Sequence, residues 1–194
     1  MISPLLELPA ELRNDIYERV AWHTNSIKIG AKGRTEVASA LLATCHQIRD
    51  EALPVFEYTA PISAGTIIAK VHNFDFTDVI AFITSLSHSQ TGAIESRRLL
   101  RIGISMDNHY EKSQSGVMDW LRHCRDPAFS AFRAGVAYDF VSHIFGTPKV
   151  FSEMLLMWQL PRGNQGDIEG WKLYRAWTRS HRSFLSRGEG EVSP

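Results

Sequence analysis

Apolar residues recur every four positions in the opening stretch, Leu8, Leu12, Ile16 and Val20, with Tyr17 and Ala21 beside them, while Arg13, Asn14, Glu18 and Arg19 fall on other sides. That period predicts an amphipathic helix with one wet and one buried side. Pro9 suits the first helical position, where its missing N–H would be unbonded anyway, and Glu11 sets negative charge against the positive end of the helix dipole. A second stripe, Leu41, Cys45, Ile48 and Ala52 with Leu42 next to it, is backed by Gln47, Arg49, Asp50 and Glu51 and predicts a second helix. Pro54 is expected to stop or kink that helix near Leu53, because its ring clashes with the Asp50 carbonyl, leaving Val55 and Phe56 as a separate turn on the core. Residues 25–35, between the two stripes, read as a short strand and a turn.

After Phe56 the pattern alternates. Residues 65–71 are rich in β-branched side chains, and 75–86 carry a helical stripe of Val79, Phe82, Ile83 and Leu86. A second strand at 98–105 precedes a helix over about 115–124, with Val117, Met118, Trp120 and Leu121, and a third strand candidate spans 136–141. Strands about 35 residues apart with a helix between them fit βαβ crossovers and so parallel or mixed neighbours. The apolar run 150–160 suits either a buried strand or a helix, with Thr147-Pro148 as a helix start. A loop at 161–166 leads to Asp167, which would cap a last helix running to about Leu185, and the tail is expected to be disordered. The architecture expected is one α+β domain over 1–187: amphipathic helices in 5–58 packed on a small mixed sheet with crossover helices in 60–160, a terminal helix at 167–186, and a tail at 188–194.

The two N-terminal stripes also carry a motif. Leu8, Pro9, Glu11, Leu12, Arg13, Asn14, Ile16 and Tyr17, followed by Leu41, Leu42, Thr44, Cys45, Gln47, Ile48, Arg49, Glu51, Ala52, Leu53, Pro54 and Phe56, resemble a large group of fungal proteins with a degenerate F-box-like N-terminus. The resemblance covers about residues 5–58. It implies a non-enzymatic interaction module that docks on the adaptor of an SCF-type ubiquitin ligase while another surface recognises a target protein. Leu5, Leu8, Pro9, Leu12, Ile16 and Tyr17 would then make the apolar docking contact. Burial of both helices in the chain's own core is the other use of the same stripe, and one side chain cannot serve both.

Charge and composition narrow the remaining choices. The 194 residues hold 21 acidic and 21 basic side chains, so no global field draws nucleic acid or a membrane. Two cysteines, no long apolar run and no visible leader point to a reducing compartment, cytosol or nucleus, without membrane association. Any electrostatic recognition is local, and the place for it is the last helix, where Lys172, Arg175, Arg179 and Arg182 are interleaved with Trp171, Tyr174, Trp177 and Phe184. This stripe suits an anionic partner, an acidic peptide, RNA or a phosphorylated protein, unless the aromatics pack on the sheet and the basic groups extend into water.

Sequence motifs for catalysis are lacking: there is no G-x-S-x-G, H-E-x-x-H, G-x-G-x-x-G or C-x-x-C. His72, His88, His109 and Asp107 read as loop residues that only folding could gather. No enzyme activity and no cofactor is expected. The pairs Cys45-His46 and His123-Cys124 read as core cysteines beside surface histidines, since neighbours on a helix diverge by about 100° and chelate poorly. The stretch 30–35, between a predicted strand and helix, offers backbone N–H groups to a phosphate but lacks the P-loop spacing and reads as a plain turn.

Overall fold

A computed structural model describes residues 4–97, 100–106, 113–126, 136–140 and 165–188, with side chains for all of these except 95, 113–114, 165–167 and 181–188. The fold is α+β, built on a five-stranded mixed sheet. Helix α1 (Ala10–Trp22) follows a 3-10 turn at Pro4–Glu7. Strands β1 (Ser26–Ile29) and β2 (Thr35–Val37) form an antiparallel hairpin, and α2 (His46–Ser63) leads into β3 (Thr66–His72). Helices α3 (Thr77–Ser85) and α4 (His88–Arg97) connect β3 to β4 (Leu100–Ser105). Helix α5 (Ser113–Arg125) precedes β5 (Ala137–Phe140), and α6 (Gln165–Gly188) is the last element described. The strand order is β2-β1-β3-β4-β5, with β1, β3, β4 and β5 mutually parallel.

Alternation along the strands sends one set of side chains into the core. Ile27, Ile67 and Leu100 lie side by side across three strands, and Ala69, Ile102 and Tyr138 form the next row. Helices α3, α5 and α6 cover this face with Val79 and Phe82, Val117, Trp120 and Leu121, and Leu173, Ala176 and Trp177. Phe76 stacks on Trp120 at 4.7 Å. On the opposite face Lys28, Lys70, Arg101 and Asp139 are exposed, the alternate positions of the same strands.

A second, smaller cluster joins α1 to α2 through Tyr17, Ala21, Ile48, Ala52 and Phe56. The two helices run in the same direction. Arg13, in the second turn of α1, meets Glu51, and Ser63 at the end of α2 donates to the Ala21 carbonyl at 3.0 Å. Lower down, α2 contributes Ala60 to the main core, so this one helix belongs to both clusters.

Three expectations need correction. Pro9 is the N-cap of α1, with extended backbone (ψ 148°), and Ala10 is its first helical residue. The second helix does not end near Leu53, since α2 runs through Pro54 and Pro61 to Ser63. Asp50 and Pro54 both lie on the wet side, where water can serve the carbonyl that proline cannot. Pro61 frees the Glu57 carbonyl on a buried side, and there Gln90 Nε2 donates to Tyr58 O at 2.9 Å and Glu57 O at 3.4 Å. Finally, Leu41–Ala43 is a separate 3-10 turn, and α2 begins only at His46.

Helix α4 lies in a stretch for which the apolar pattern gives no helix, with Ile94 its one buried hydrophobic residue. A capping box starts it: Gln90 N donates to Ser87 Oγ at 3.4 Å, and Ser87 N donates back to Gln90 Oε1 at 2.9 Å. The apolar run 150–160 and the tail 189–194 lie outside the described residues, as do Asp107 and His109.

Candidate functional site

Arg13, Tyr17, Gln47 and Glu51 of the N-terminal motif are bonded to one another, while Glu11 and Asn14 are exposed. Arg13 grips Glu51 with two parallel bonds, Nε to Oε2 at 2.8 Å and Nη2 to Oε1 at 3.0 Å, and its Nη1 donates to the Leu8 carbonyl at 2.7 Å. Tyr17 OH donates to Glu51 Oε2 at 3.0 Å and Gln47 Nε2 to Glu51 Oε1 at 3.1 Å. Both carboxylate oxygens are therefore filled from three directions, the fork geometry in which arginine is strongest. The bond from Arg13, then that from Gln47, holds the Glu51 carboxyl below the usual carboxylate range. Arg13 is correspondingly raised by its bond to Glu51, and Tyr17 is raised by burial first and by Glu51 second. Arg49 Nε and Thr44 Oγ1 donate to the carbonyls of Leu42 and Leu41, fastening the 3-10 turn before α2.

The apolar motif residues divide in two. Tyr17 is fully buried, so it is removed from the docking set: its ring fills the α1–α2 cluster and its hydroxyl serves Glu51. Leu5 is half-buried against the same cluster. Leu8 and Ile16 are half-buried, Pro9 is exposed, and Leu12 and Val20 are 50% and 37% exposed. The helix thus buries the side marked by Tyr17 and Ala21, and the stripe through Leu12, Ile16 and Val20 faces outward. Arg13, Ile16 and Val20 stand at i, i+3 and i+7, and Glu51, Val55 and Tyr58 at i, i+4 and i+7. Because Arg13 and Glu51 meet, helical periodicity sets the two apolar rows along opposite banks of one seam. Tyr58 is 58% exposed.

The terminal helix is divided in the same way. Leu173, Ala176 and Trp177 enter the core, whereas Ile168 and Trp171 are 48% and 56% exposed. Lys172 is drawn out of the basic stripe, because its Nζ donates to Glu169 Oε1 at 2.6 Å. Glu169 is itself buried and accepts from Tyr138 OH at 2.7 Å, and Tyr138 OH accepts from Trp120 Nε1 at 2.8 Å. This chain of bonds ties α5, β5 and α6 together, and burial, then the neighbouring Glu169 charge, pushes the Tyr138 phenol well above its ordinary value. Arg175 and Arg179 are exposed, while Arg182 lies on the helix where only backbone is described. Trp171 packs edge-on against Tyr174, with ring centroids 5.8 Å apart.

Stretch 30–35 joins two strands rather than a strand and a helix. Its backbone is already occupied: Lys32 N donates to Asp78 Oδ1 at 2.7 Å, so a carboxylate of the chain fills the place a phosphate would take. Gly33, at φ 72°, lies against the backbone of α3, where a Cβ would stand 2.3 Å from Phe82 N.

A cleft of about 580 Å³ opens beyond the carboxyl end of β3, between the starts of α3 and α5. Its acidic groups are engaged. Asp75 accepts from Thr77 N, Asp78 from Lys32 N, and Asp119 from Arg122. His72, on its wall, bonds Ser105 Oγ at 2.9 Å, which links the ends of β3 and β4. Among the described residues no three histidine, cysteine or acidic side chains are grouped to hold a metal ion, and no helix is long and apolar enough to cross a membrane. Cys124 lies in the core, where burial raises its thiol far above the usual value.

Compared with protein-family models, with curated proteins and with solved structures, the chain matches none.

Proposed function

We propose that this chain is a non-enzymatic protein-interaction module that docks through the seam of its two parallel N-terminal helices. The observation that carries the reading is the division of labour within the motif. Its polar residues Arg13, Tyr17, Gln47, Arg49 and Glu51 bond within the molecule, while apolar Leu12, Val20 and Tyr58 are left at 50%, 37% and 58% exposure. Leucine, valine and tyrosine kept in water along one seam, over a rigid charged clasp, suit an amphipathic helix laid between the two banks. The F-box-like resemblance makes the adaptor of an SCF-type ligase the partner to try first. Two unpaired cysteines suit a reducing compartment, the cytosol or the nucleus.

Pull-down of purified adaptor by the wild-type chain and by Leu12→Asp and Val20→Asp variants tests the reading. Both positions point outward, so the variants should melt within a few degrees of wild type while adaptor recovery falls at least tenfold, the loss of about 1.4 kcal/mol of apolar contact. Equal recovery from all three proteins would discard adaptor docking.

A further inference from the structure

We infer that the outer face of α6 binds single-stranded nucleic acid, with Trp171 as the base-stacking platform and Arg175 and Arg179 as the phosphate contacts. The face is defined by what the core leaves out. Ile168, Trp171 and Arg175 fall at i, i+3 and i+7, Arg179 one turn further on the same side, and all four are exposed. Glu169, two residues before Trp171, is turned into the core and bonded by Lys172 and Tyr138. Neither arginine forms an ion pair with a described residue.

An aromatic ring and guanidinium groups on one helix face select the partner by chemistry. Trp171 has more than half its surface in water, yet its ring is braced edge-on by Tyr174, which in turn lies 6.2 Å from the buried Trp177. A braced, exposed indole is a preformed flat surface, and every nucleobase has a complementary one once it is unstacked. The adjacent arginines supply the cations that the phosphates of the same strand require. A duplex hides its base faces and would leave Trp171 unused. An acidic peptide would use the arginines without the indole, and a bilayer would need a broader apolar face than Ile168 and Trp171 provide.

Fluorescence anisotropy of the full chain with a labelled 12-nucleotide single-stranded RNA, its duplex and a poly-glutamate peptide of similar charge tests the assignment at 50 mM salt. Expected is binding to the single strand at least tenfold tighter than to the duplex or the peptide. Trp171→Ala should weaken that binding about tenfold, the usual loss of one stacked base. Arg175→Glu with Arg179→Glu should reduce the slope of log affinity against log salt by about two. All three substitutions lie on the wet side, and unchanged melting temperatures will establish that the fold is retained. Absence of binding, equal binding to strand and duplex, preference for the peptide, or binding unaffected by Trp171→Ala would each overturn the proposal.

Discussion

Glu51 is the residue on which the N-terminal pair turns, because it accepts four hydrogen bonds from Arg13, Tyr17 and Gln47 and no other single side chain bridges α1 and α2 so fully among those described. Its carboxyl is held below the ordinary range in the folded state, so the sign of the pH effect is fixed. The stabilisation is fully present above the unfolded value, about 4.3, and is lost as pH falls through the lower folded value. Glu51→Gln removes the charge. Urea denaturation should therefore show the variant less stable than wild type at pH 7, with a smaller difference at pH 3, below the unfolded value, as the stabilisation is progressively lost toward the lower folded value. A gap of the same size at both pH values would mean that charge is not what the clasp contributes.

At the scale of elements, the connection between α2 and α4 shows how a local rule is broken and repaired. Pro61 within α2 cannot donate to the Glu57 carbonyl, and the buried amide of Gln90 bonds there and to Tyr58 while its own oxygen closes the capping box with Ser87. Gln90→Leu should cost about 1–3 kcal/mol in denaturant unfolding, since the part-buried carbonyls of Glu57 and Tyr58 lose this donor and Ser87 N loses its acceptor, while the backbone bond to Ser87 Oγ remains. In a Pro61→Ala background the helix recovers its own N–H at residue 61, and the same substitution should cost less, which a double-mutant cycle measures as coupling. Strictly additive losses would separate the two residues. This pair also marks the limit of what periodicity conveys. Strands β3, β4 and β5 and helices α3 and α5 were legible, because Ile67, Ala69 and Val71 alternate and Val79, Phe82 and Ile83 repeat at helical spacing. Helix α4 was not, because one buried residue, Ile94, sets no period, although Ser87 and Gln90 carried a capping signal. The stripe on α1 was legible as apolar but not as outward-facing. Its direction is decided by Tyr17 and Arg13 meeting Glu51, a contact between residues 34 and 38 positions apart that no local pattern reports. On α6, likewise, Lys172 reads as one of four equivalent cations until Glu169 is seen folded beneath it.

Across the whole molecule, burial is divided unequally between two clusters that share α2. The larger spans the sheet and α3, α5 and α6, while the smaller holds α1 to α2 with Tyr17, Ala21, Ile48, Ala52 and Phe56 as its buried members. Regions with few buried apolar contacts open locally before the rest, so α1 should be the first packed helix to lose amide protection. Hydrogen exchange at pH 7 is expected to show Ala10–Trp22 exchanging well before the amides of Ile67, Ala69 and Ile102. Glu51→Gln should accelerate α1 severalfold and leave those strand amides unchanged, because the clasp touches only the smaller cluster. Equal acceleration of α1 and the sheet would instead mean that the two clusters unfold together. The same measurement bears on docking. A partner seated on Leu12, Ile16 and Val20 binds α1 only in its closed position, where Tyr17 keeps that stripe facing outward, and so should slow exchange in α1 selectively. A partner that bound the opened helix would compete with Tyr17 for its pocket and accelerate exchange of the α2 residues around Ile48 and Ala52.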